Sequence, residues 1–104
     1  MRYFVYMLRC RDDRLYTGIT TDMERRFREH MTGIRGARFT RSDPPEEIAA
    51  VWSCMGRSAA SKLEYALKKL SRQQKLRLIG DGSLFGELIR DIDGELYTRE
   101  EILV

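Results

Sequence analysis

The sequence predicts a small α/β protein in which a three-stranded, mixed but mostly antiparallel sheet is flanked by helices. Three observations predict it: two short apolar runs joined by a polar turn, amphipathic helical patterns after them, and a third apolar run between the helices. The chain has 104 residues, of which 42% are hydrophobic. That content is enough for one modest core, so we expect one domain rather than two.

The first two strands are predicted to form a β-hairpin. Residues 3–8 are rich in aromatic and branched side chains, residues 11–14 supply a polar turn, and residues 15–19 form the second run. Gly18 lies inside the second strand, where a missing Cβ indicates a bulge or the close approach of a backbone or ligand. A simple strand irregularity is the alternative.

An amphipathic helix is predicted from about residue 23 to residue 32. Asp22 is a good N-cap, and Gly33 is suited to end the helix. At about 100° per residue, Arg26 projects beside the apolar stripe, whereas Arg25 and Arg28 point to the opposite side. The stripe consists of Met23, Phe27, His30 and Met31.

The middle of the chain is predicted to contain a loop, a strand and two further helices. Residues 34–45 show no sustained period and are expected to be a loop, and residues 48–52 are expected to be the third strand. Ser58 is a candidate cap for a helix with Glu64 at the border of its apolar stripe, and Ser71 begins a capping box for a helix that ends near Gly80.

The last residues are predicted to be an acidic extension, residues 81–104, packed on a domain formed by residues 1–80. Asp93-Gly94 predicts a tight hairpin, and residues 98–101 predict a capped final turn. One interpretation is that the extension lies over a basic groove and mimics phosphate. The other is that its apolar residues extend the core: Leu84, Phe85, Ile89, Ile92 and Leu96.

Charge is distributed unevenly along the chain. The formal net charge is +3, but residues 1–77 contain 17 Lys and Arg against 9 Asp and Glu, whereas residues 78–104 contain 2 against 7. Clustered cations are typical of a surface that binds a nucleic-acid backbone, although they also solvate ordinary helix faces. The predicted nucleic-acid contacts are Arg25, Arg35, Arg38, Arg41, Lys68, Lys69 and Arg72.

The sequence has one histidine and two cysteines, which disfavours most hydrolytic and metal-thiolate sites. Tyrosine, arginine and glutamate are left as the chemical groups. We expect reduced thiols at Cys10 and Cys54, a cytoplasmic location and no membrane association, because neither a leader nor an apolar stretch of about 20 residues is present. The oligomeric state stays open.

The order of several motifs resembles the GIY-YIG nuclease superfamily, in particular its small single-domain bacterial members of the UPF0213 type. Phe4-Val5-Tyr6 stands where the family has Gly-Ile-Tyr, and Tyr16-Thr17-Gly18 stands where it has Tyr-Ile-Gly. Residues 22–26 match the helix with the family's catalytic arginine, which is Arg26 here. His30 and Glu64 match a common histidine and the metal-binding glutamate. The resemblance covers about residues 3–79, without the first glycine.

The resemblance implies a GIY-YIG fold and hydrolysis of phosphodiester bonds in DNA, assisted by a single Mg²⁺ or Mn²⁺ ion and no small-molecule cofactor. It implies that Tyr16 positions or deprotonates water, that Tyr6 hydrogen-bonds in the same site, and that Arg26 binds the phosphate oxygens. It also implies that Glu64 holds the metal and that His30 assists proton transfer. The chemistry suits arginine, whose planar fork binds two oxygens and stays charged.

Ordinary structural roles stay open for each of these residues. Tyr6 and Tyr16 are also suited to be cross-strand core aromatics, Glu64 to pair with Lys68, and His30 to pack at the helix edge. Three functions follow: an endonuclease for branched, nicked or damaged DNA in repair or recombination, a non-cleaving nucleic-acid binding module, and a protein-interaction role through the C-terminal extension.

Overall fold

The structure, a computed structural model, describes residues 1–33 and 35–102. These residues form a four-stranded sheet in the order β2-β1-β3-β4, with every neighbouring pair antiparallel. The predicted α/β class is confirmed, but the described sheet has one strand more than expected and is antiparallel throughout rather than mixed. The strands are β1 (Arg2–Cys10), β2 (Leu15–Thr20), β3 (Pro45–Met55) and β4 (Thr98–Glu100).

The predicted hairpin is formed by β1 and β2, and a buried carboxylate holds its turn. Asp43 is 1% exposed. It accepts hydrogen bonds from the Asp12 backbone N–H and from Arg14 Nε, both at 2.9 Å. The backbone hydrogen bond and the Arg14 guanidinium outweigh the cost of burial and hold the pKa of Asp43 below its usual value. The turn is therefore tied to the segment that leads into β3.

The first helix, α1 (Met23–Thr32), has the predicted limits. The Asp22 side chain accepts from the Arg25 N–H at 3.0 Å, and Gly33 ends the helix with a left-handed φ of 77°. The capping box at Ser71 also forms, and it begins α4 (Arg72–Gly80). Both limits follow from local hydrogen bonds that a sequence pattern can reveal.

Three predictions for the middle of the chain were wrong. The expected loop contains a short helix, α2 (Arg38–Ser42), while Ile34 lies outside the described residues. A five-residue helix is too short to show a period, and this one contacts α1 through the hydrogen bond between Thr40 and His30. Helix α3 (Arg57–Lys69) begins before Ser58, because Gly56 at φ 89° takes the N-cap position and turns the chain. The third strand also extends beyond residues 48–52.

The predicted C-terminal hairpin is absent from the described residues. A short helix, α5 (Phe85–Leu88), replaces its first strand, and Asp93 caps a 3₁₀ turn at Gly94–Leu96 by accepting from the Glu95 N–H at 3.0 Å. The expected final turn is β4, which pairs with β3. An available edge of β3 satisfies the backbone of this segment better than a local turn.

The sheet has a separate apolar cluster on each face because side chains alternate along β1. Val5 and Met7 lie in the larger cluster with Trp52 and the buried side of α3. Tyr6 and Leu8 lie in the smaller cluster, whose partly buried members include Phe27 of α1. Tyr6 therefore faces α1, whereas its neighbours in the strand face α3.

Most of the C-terminal extension packs into the larger cluster, whereas Ile102 packs against the smaller one. Ile89 is 4% exposed, and the Tyr97 hydroxyl donates to the Ala59 carbonyl at 2.7 Å. Phe85 lies between Trp52 and Tyr97, with ring centroids 6.3 and 5.9 Å away. Of the other apolar residues expected in the core, Leu84 and Ile92 pack against it, but Leu96 is 56% exposed.

The interpretation of the extension as a phosphate mimic over the basic groove is not supported by its position. Strand β4 lies at the edge of the sheet opposite β2. There Glu100 accepts from the Ser53 hydroxyl at 2.7 Å and pairs with Arg2 at 3.1 Å. Burial of Ile89 and Tyr97 decides this position. The division of the chain at residue 80 stays a prediction.

Substitution of Ile89 tests whether the extension contributes to the stability of the whole fold. We expect Ile89→Ala to lower the free energy of unfolding by about 2–5 kcal/mol, because it leaves a cavity in the larger cluster. The exposed Leu96→Ala is the control, with a change within about 0.5 kcal/mol. Urea unfolding measures both. Equal stability of the two variants would mean that the extension unfolds separately.

Candidate active site

The phenol of Tyr6 lies over Gly18. These residues are directly paired across β1 and β2, so they share one face of the sheet. A Cβ atom placed on Gly18 would lie 2.5 Å from the Tyr6 hydroxyl oxygen and 3.1 Å from Cε2 of Tyr16. The close approach expected at Gly18 is therefore made by a side chain, not by a backbone or ligand. Only glycine leaves room for it.

A buried hydrogen-bond chain orients the Tyr6 hydroxyl. Thr40 donates its single hydroxyl proton to the Ala37 carbonyl at 3.0 Å, so its oxygen accepts from His30 Nδ1 at 2.7 Å. This assigns the Nδ1–H tautomer to His30, whose Nε2 then accepts from the Tyr6 hydroxyl at 2.9 Å. Tyr6, His30 and Thr40 are each 1% exposed.

Burial keeps Tyr6 and His30 uncharged. It raises the pKa of Tyr6 to about 12, even though the Arg26 guanidinium nearby favours the phenolate. Burial also lowers the pKa of His30 to about 4, and the positive charge of Arg26 acts in the same direction. At neutral pH the first group is a phenol that donates a hydrogen bond, and the second is an imidazole that accepts it.

Tyr16 completes a group of three rings. It is half-buried, and its ring centroid lies 6.3 Å from that of Tyr6 and 5.2 Å from that of His30. The imidazole meets both phenol rings edge-on at 60°. Aromatic pairs favour such tilted geometry, so the three rings support one another's orientation. Both tyrosines from the sequence analysis therefore lie together on the α1 side of the sheet.

Arg26 is held beside the tyrosines by two acceptors. Its Nη1 donates to Glu29 Oε1 at 3.0 Å and to the Arg35 carbonyl at 2.7 Å. Burial opposes the positive charge, but Glu29 and the two tyrosines outweigh it and raise the pKa of Arg26. These two contacts use one of the three guanidinium nitrogens, and the side chain is 24% exposed. Arg26 is thus fixed in place with part of its surface reachable from solvent.

Glu64 approaches from the other face of the sheet. It belongs to α3, which contacts the edge strand β2. Its Oε2 pairs with Lys68 Nζ at 3.3 Å, as one alternative from the sequence expects, and its side chain is 25% exposed. The charge of Glu64 also contributes to the raised pKa of Tyr6, so the carboxylate is within electrostatic range of the phenol. The ion pair and a place at the site are compatible.

Comparison with known proteins identifies the family. A model of the GIY-YIG catalytic domain matches residues 2–77. The chain belongs to the GIY-YIG family. GIY-YIG domains are nuclease domains, and membership therefore indicates an enzyme that acts on nucleic acid.

Relatives of this GIY-YIG protein carry names that assign no activity. UPF0213 protein YhbQ from Escherichia coli O127:H6 is 40% identical over 90 residues, which cover 86% of this chain and 89% of the relative. UPF0213 protein DP2720 from Desulfotalea psychrophila is 48% identical over 77 residues, which cover 74% and 70%. The solution NMR structure of UPF0213 protein BH0048 from Bacillus halodurans has 40% identity and a TM-score of 0.50, covering 77% of this chain and 84% of that one.

The donor set of this GIY-YIG domain fits one weakly held divalent cation. No group of three or more His, Cys, Asp and Glu side chains suited to a metal occurs within residues 1–33 and 35–102. Glu64 supplies one carboxylate, of which Oε2 is shared with Lys68. Magnesium commonly takes one or two carboxylates and completes its octahedron with water and substrate phosphate. Glu64 fits that pattern and fits no closed protein cage.

The predicted nucleic-acid contacts divide between two parts of the fold, and all of their side chains are exposed. Those near α1 and α2 are Arg25, Arg35, Arg38 and Arg41. The remaining three lie on α3 and at the start of α4, where Lys68 pairs with Glu64 and Arg72 pairs with Asp13 at 2.9 Å. The ion pairs of Lys68 and Arg72 partly neutralise the positive charge on α3 and α4.

No helix within the described residues is long and apolar enough to cross a membrane.

The sequence analysis missed two residues that support the site. Thr40 lies in a segment interpreted as loop, and no local pattern marks it as the partner of His30, ten residues earlier. Glu29 had a signal, since it follows Arg26 by three residues and therefore lies on the same helix face. Thr40 positions His30, and Glu29 positions Arg26.

Neither cysteine belongs to this site: Cys10 and Cys54 are free and buried.

Protonation of His30 should make stability depend on pH. The unfolded chain takes up this proton near pH 6.5, whereas the folded protein takes it up only near pH 4. The free energy of unfolding therefore falls as the pH drops from 6.5 to 4, with a limiting slope of about 1.4 kcal/mol per pH unit. His30→Asn should lose that component. Urea unfolding across this range measures it, and equal slopes in both proteins would contradict the assignment.

Proposed function

We propose that this protein is a metal-dependent endonuclease that hydrolyses phosphodiester bonds in DNA. The observation that carries the proposal is the group of rings formed by Tyr6, Tyr16 and His30, with Arg26 fixed beside it. Arg26 is paired with Glu29 but keeps part of its guanidinium open to solvent, as a group that binds a phosphate requires. Branched, nicked or damaged DNA, as met in repair or recombination, is the proposed substrate class.

The two tyrosines take different roles in this proposal. Tyr6 stays protonated because its pKa is about 12, and its hydroxyl donates a hydrogen bond to His30 Nε2. Tyr16 is then the phenol that positions or deprotonates the attacking water. A phenolate needs a cation nearby, and the charge of Arg26 interacts with both tyrosines. His30, neutral at pH 7, acts as a positioning residue for Tyr6 rather than as the acid or base expected from the sequence.

Arg26 and Glu64 act on the phosphate. Hydrolysis forms a bond from the water oxygen to phosphorus, with the water's proton passing to Tyr16, and breaks the bond to the 3′-oxygen, which leaves as an alkoxide and takes a proton from solvent. Negative charge builds on the non-bridging oxygens, where the Arg26 fork can donate two hydrogen bonds. Glu64 would hold the Mg²⁺ or Mn²⁺ ion. When bound, such an ion neutralises charge on the departing oxygen.

Cleavage assays on Arg26 and Glu64 variants test the proposal. We expect Arg26→Ala and Glu64→Gln each to lower the cleavage rate by about 100-fold or more, because each removes charge stabilisation from the transition state. The substrates are labelled linear, nicked, flap and junction DNAs with Mg²⁺ or Mn²⁺. Arg28→Ala is the control for α1, since Arg28 is 66% exposed and pairs with Glu24. Arg57→Ala is the control for α3, since Arg57 is exposed and lies outside the proposed contacts.

Absence of cleavage on every substrate would overturn the nuclease proposal. If salt-sensitive DNA binding were retained in that case, the protein would be a non-cleaving nucleic-acid binding module, as its basic residues also allow. Full activity of Arg26→Ala or Glu64→Gln would instead remove that residue from the mechanism. The direct comparison with Arg28→Ala separates loss of a specific contact from loss of positive charge.

Phenylalanine substitutions test the division of roles between the tyrosines. Tyr16→Phe removes the hydroxyl proposed to act on water, so we expect a larger loss of kcat than for Tyr6→Phe, because the Tyr6 hydroxyl donates to His30 and does not act on water. General-base catalysis commonly contributes about 10²–10⁴-fold, which sets the scale for Tyr16→Phe. Single-turnover cleavage measures both rates. A larger loss for Tyr6→Phe would reverse the assignment.

A further inference from the structure

One exposed aromatic side chain lies outside the candidate active site. Tyr65 of α3 is 66% exposed. Among the aromatic residues whose side chains the structure describes, Tyr65 is the only one that is exposed. Lys69, one turn later, places its Nζ 5.1 Å from the centroid of the ring. A ring this open to solvent and beside a cation has a face on which a ligand ring can stack.

Tyr65 borders a groove between α3 and the segment that follows α5. The groove has a volume of about 440 Å³, which is in the range of about 300–1,000 Å³ that ligand sites occupy. Its apolar lining includes Ala66, Leu70 and Leu88, and three cations and one acid also line it. The charged residues are Lys62, Lys69, Arg90 and Asp91. The groove therefore combines an apolar floor with a net positive rim.

The groove lies within reach of a strand bound at the candidate active site. At about 100° per residue, Tyr65 projects from the solvent side of α3, and Lys68 lies between it and Glu64 around the helix. Lys68 is exposed, and its ammonium already lies 3.3 Å from Glu64. The phosphate backbone of a strand that leads away from Glu64 would thus pass Lys68 before it reached Tyr65.

We propose that Tyr65 is a stacking platform for an unpaired base of the nucleic-acid strand, an inference that rests on the proposed action on DNA. Every base has a π-face, and exposed aromatics beside cations bind single strands by stacking and charge together. Lys69 covers one face of the Tyr65 ring, and the base takes the other. The rim cations Lys62 and Arg90 contact the flanking phosphates. The site selects single-stranded over fully paired DNA.

Binding of oligonucleotides in EDTA tests the inference separately from cleavage. In fluorescence anisotropy with the full chain, Tyr65→Ala should weaken binding of a single strand of about 12 nucleotides by about tenfold or more. It should leave the affinity for a blunt duplex unchanged. Tyr65→Phe keeps the ring and should bind as the wild type does. Met55→Ala, which removes another exposed apolar side chain (69% exposed), is the matched control.

A tryptophan at this position reports on stacking directly. The single native tryptophan, Trp52, is 2% exposed and far less open to contact with a base. Fluorescence of Tyr65→Trp should therefore be quenched when the oligonucleotide is added. Unchanged fluorescence would overturn the inference, as would a Tyr65→Ala protein that binds single strands as tightly as the wild type. Equal losses on single strand and duplex would also overturn it.

The outcomes distinguish this inference from the proposed nuclease function. If no substrate is cut but Tyr65→Ala loses affinity for single strands alone, the stacking site stands and the nuclease proposal fails. If the wild type cuts DNA and Tyr65→Ala binds single strands normally, the nuclease proposal stands and the stacking site fails. The groove would then be left for an apolar protein segment instead.

Discussion

The hydrogen bond from Tyr6 to His30 is the contact on which the site depends. It joins the central strand β1 to helix α1, and through Thr40 it extends to α2. Its geometry needs the phenol to lie across Gly18, where any Cβ would collide with it. Three elements that are separate in the sequence are therefore fixed by one buried chain of polar groups, each with its partner satisfied.

The site has uncharged groups at its buried centre and charged groups at its rim. Tyr6 and His30 are uncharged at neutral pH, and this is compatible with their burial. Arg26 and Glu64 reach the neighbourhood of Tyr6 from opposite faces of the sheet, where each is about a quarter exposed. Charges placed in this way can meet a phosphate without the full cost of burying an ion.

The acidic extension stabilises the fold mainly from the α3 side of the sheet, while Ile102 packs against the smaller cluster on the α1 side. Its apolar residues complete the cluster between the sheet and α3, and its strand covers part of the edge of β3. The order β2-β1-β3-β4 places this acidic strand at the edge opposite the hairpin strand β2. Glu100 and Glu101 line a pocket with Glu24, Glu46 and Glu47, so the negative charge at the end of the extension lies among other carboxylates.

The sequence by itself determined the features that depend on nearby residues. The hairpin, the limits of α1, the capping box at Ser71 and the position of Arg26 beside its apolar stripe all follow from contacts within a few residues. The order of Tyr, Tyr-Xaa-Gly, Arg, His and Glu also gave the family, because chemistry restricts those residue types. Glu29 could have been found by the same local reasoning.

Only the tertiary structure decided the contacts between distant segments. The tautomer of His30 depends on Thr40, and the protonation of Tyr6 depends on burial that no local pattern reveals. Asp93-Gly94 resembles a hairpin turn, yet residues 98–100 pair with β3 instead. Local propensity contributes about 1 kcal/mol, which burial and pairing across the fold readily exceed. The sequence therefore supplied the reactive groups, and long-range packing decided which of them meet.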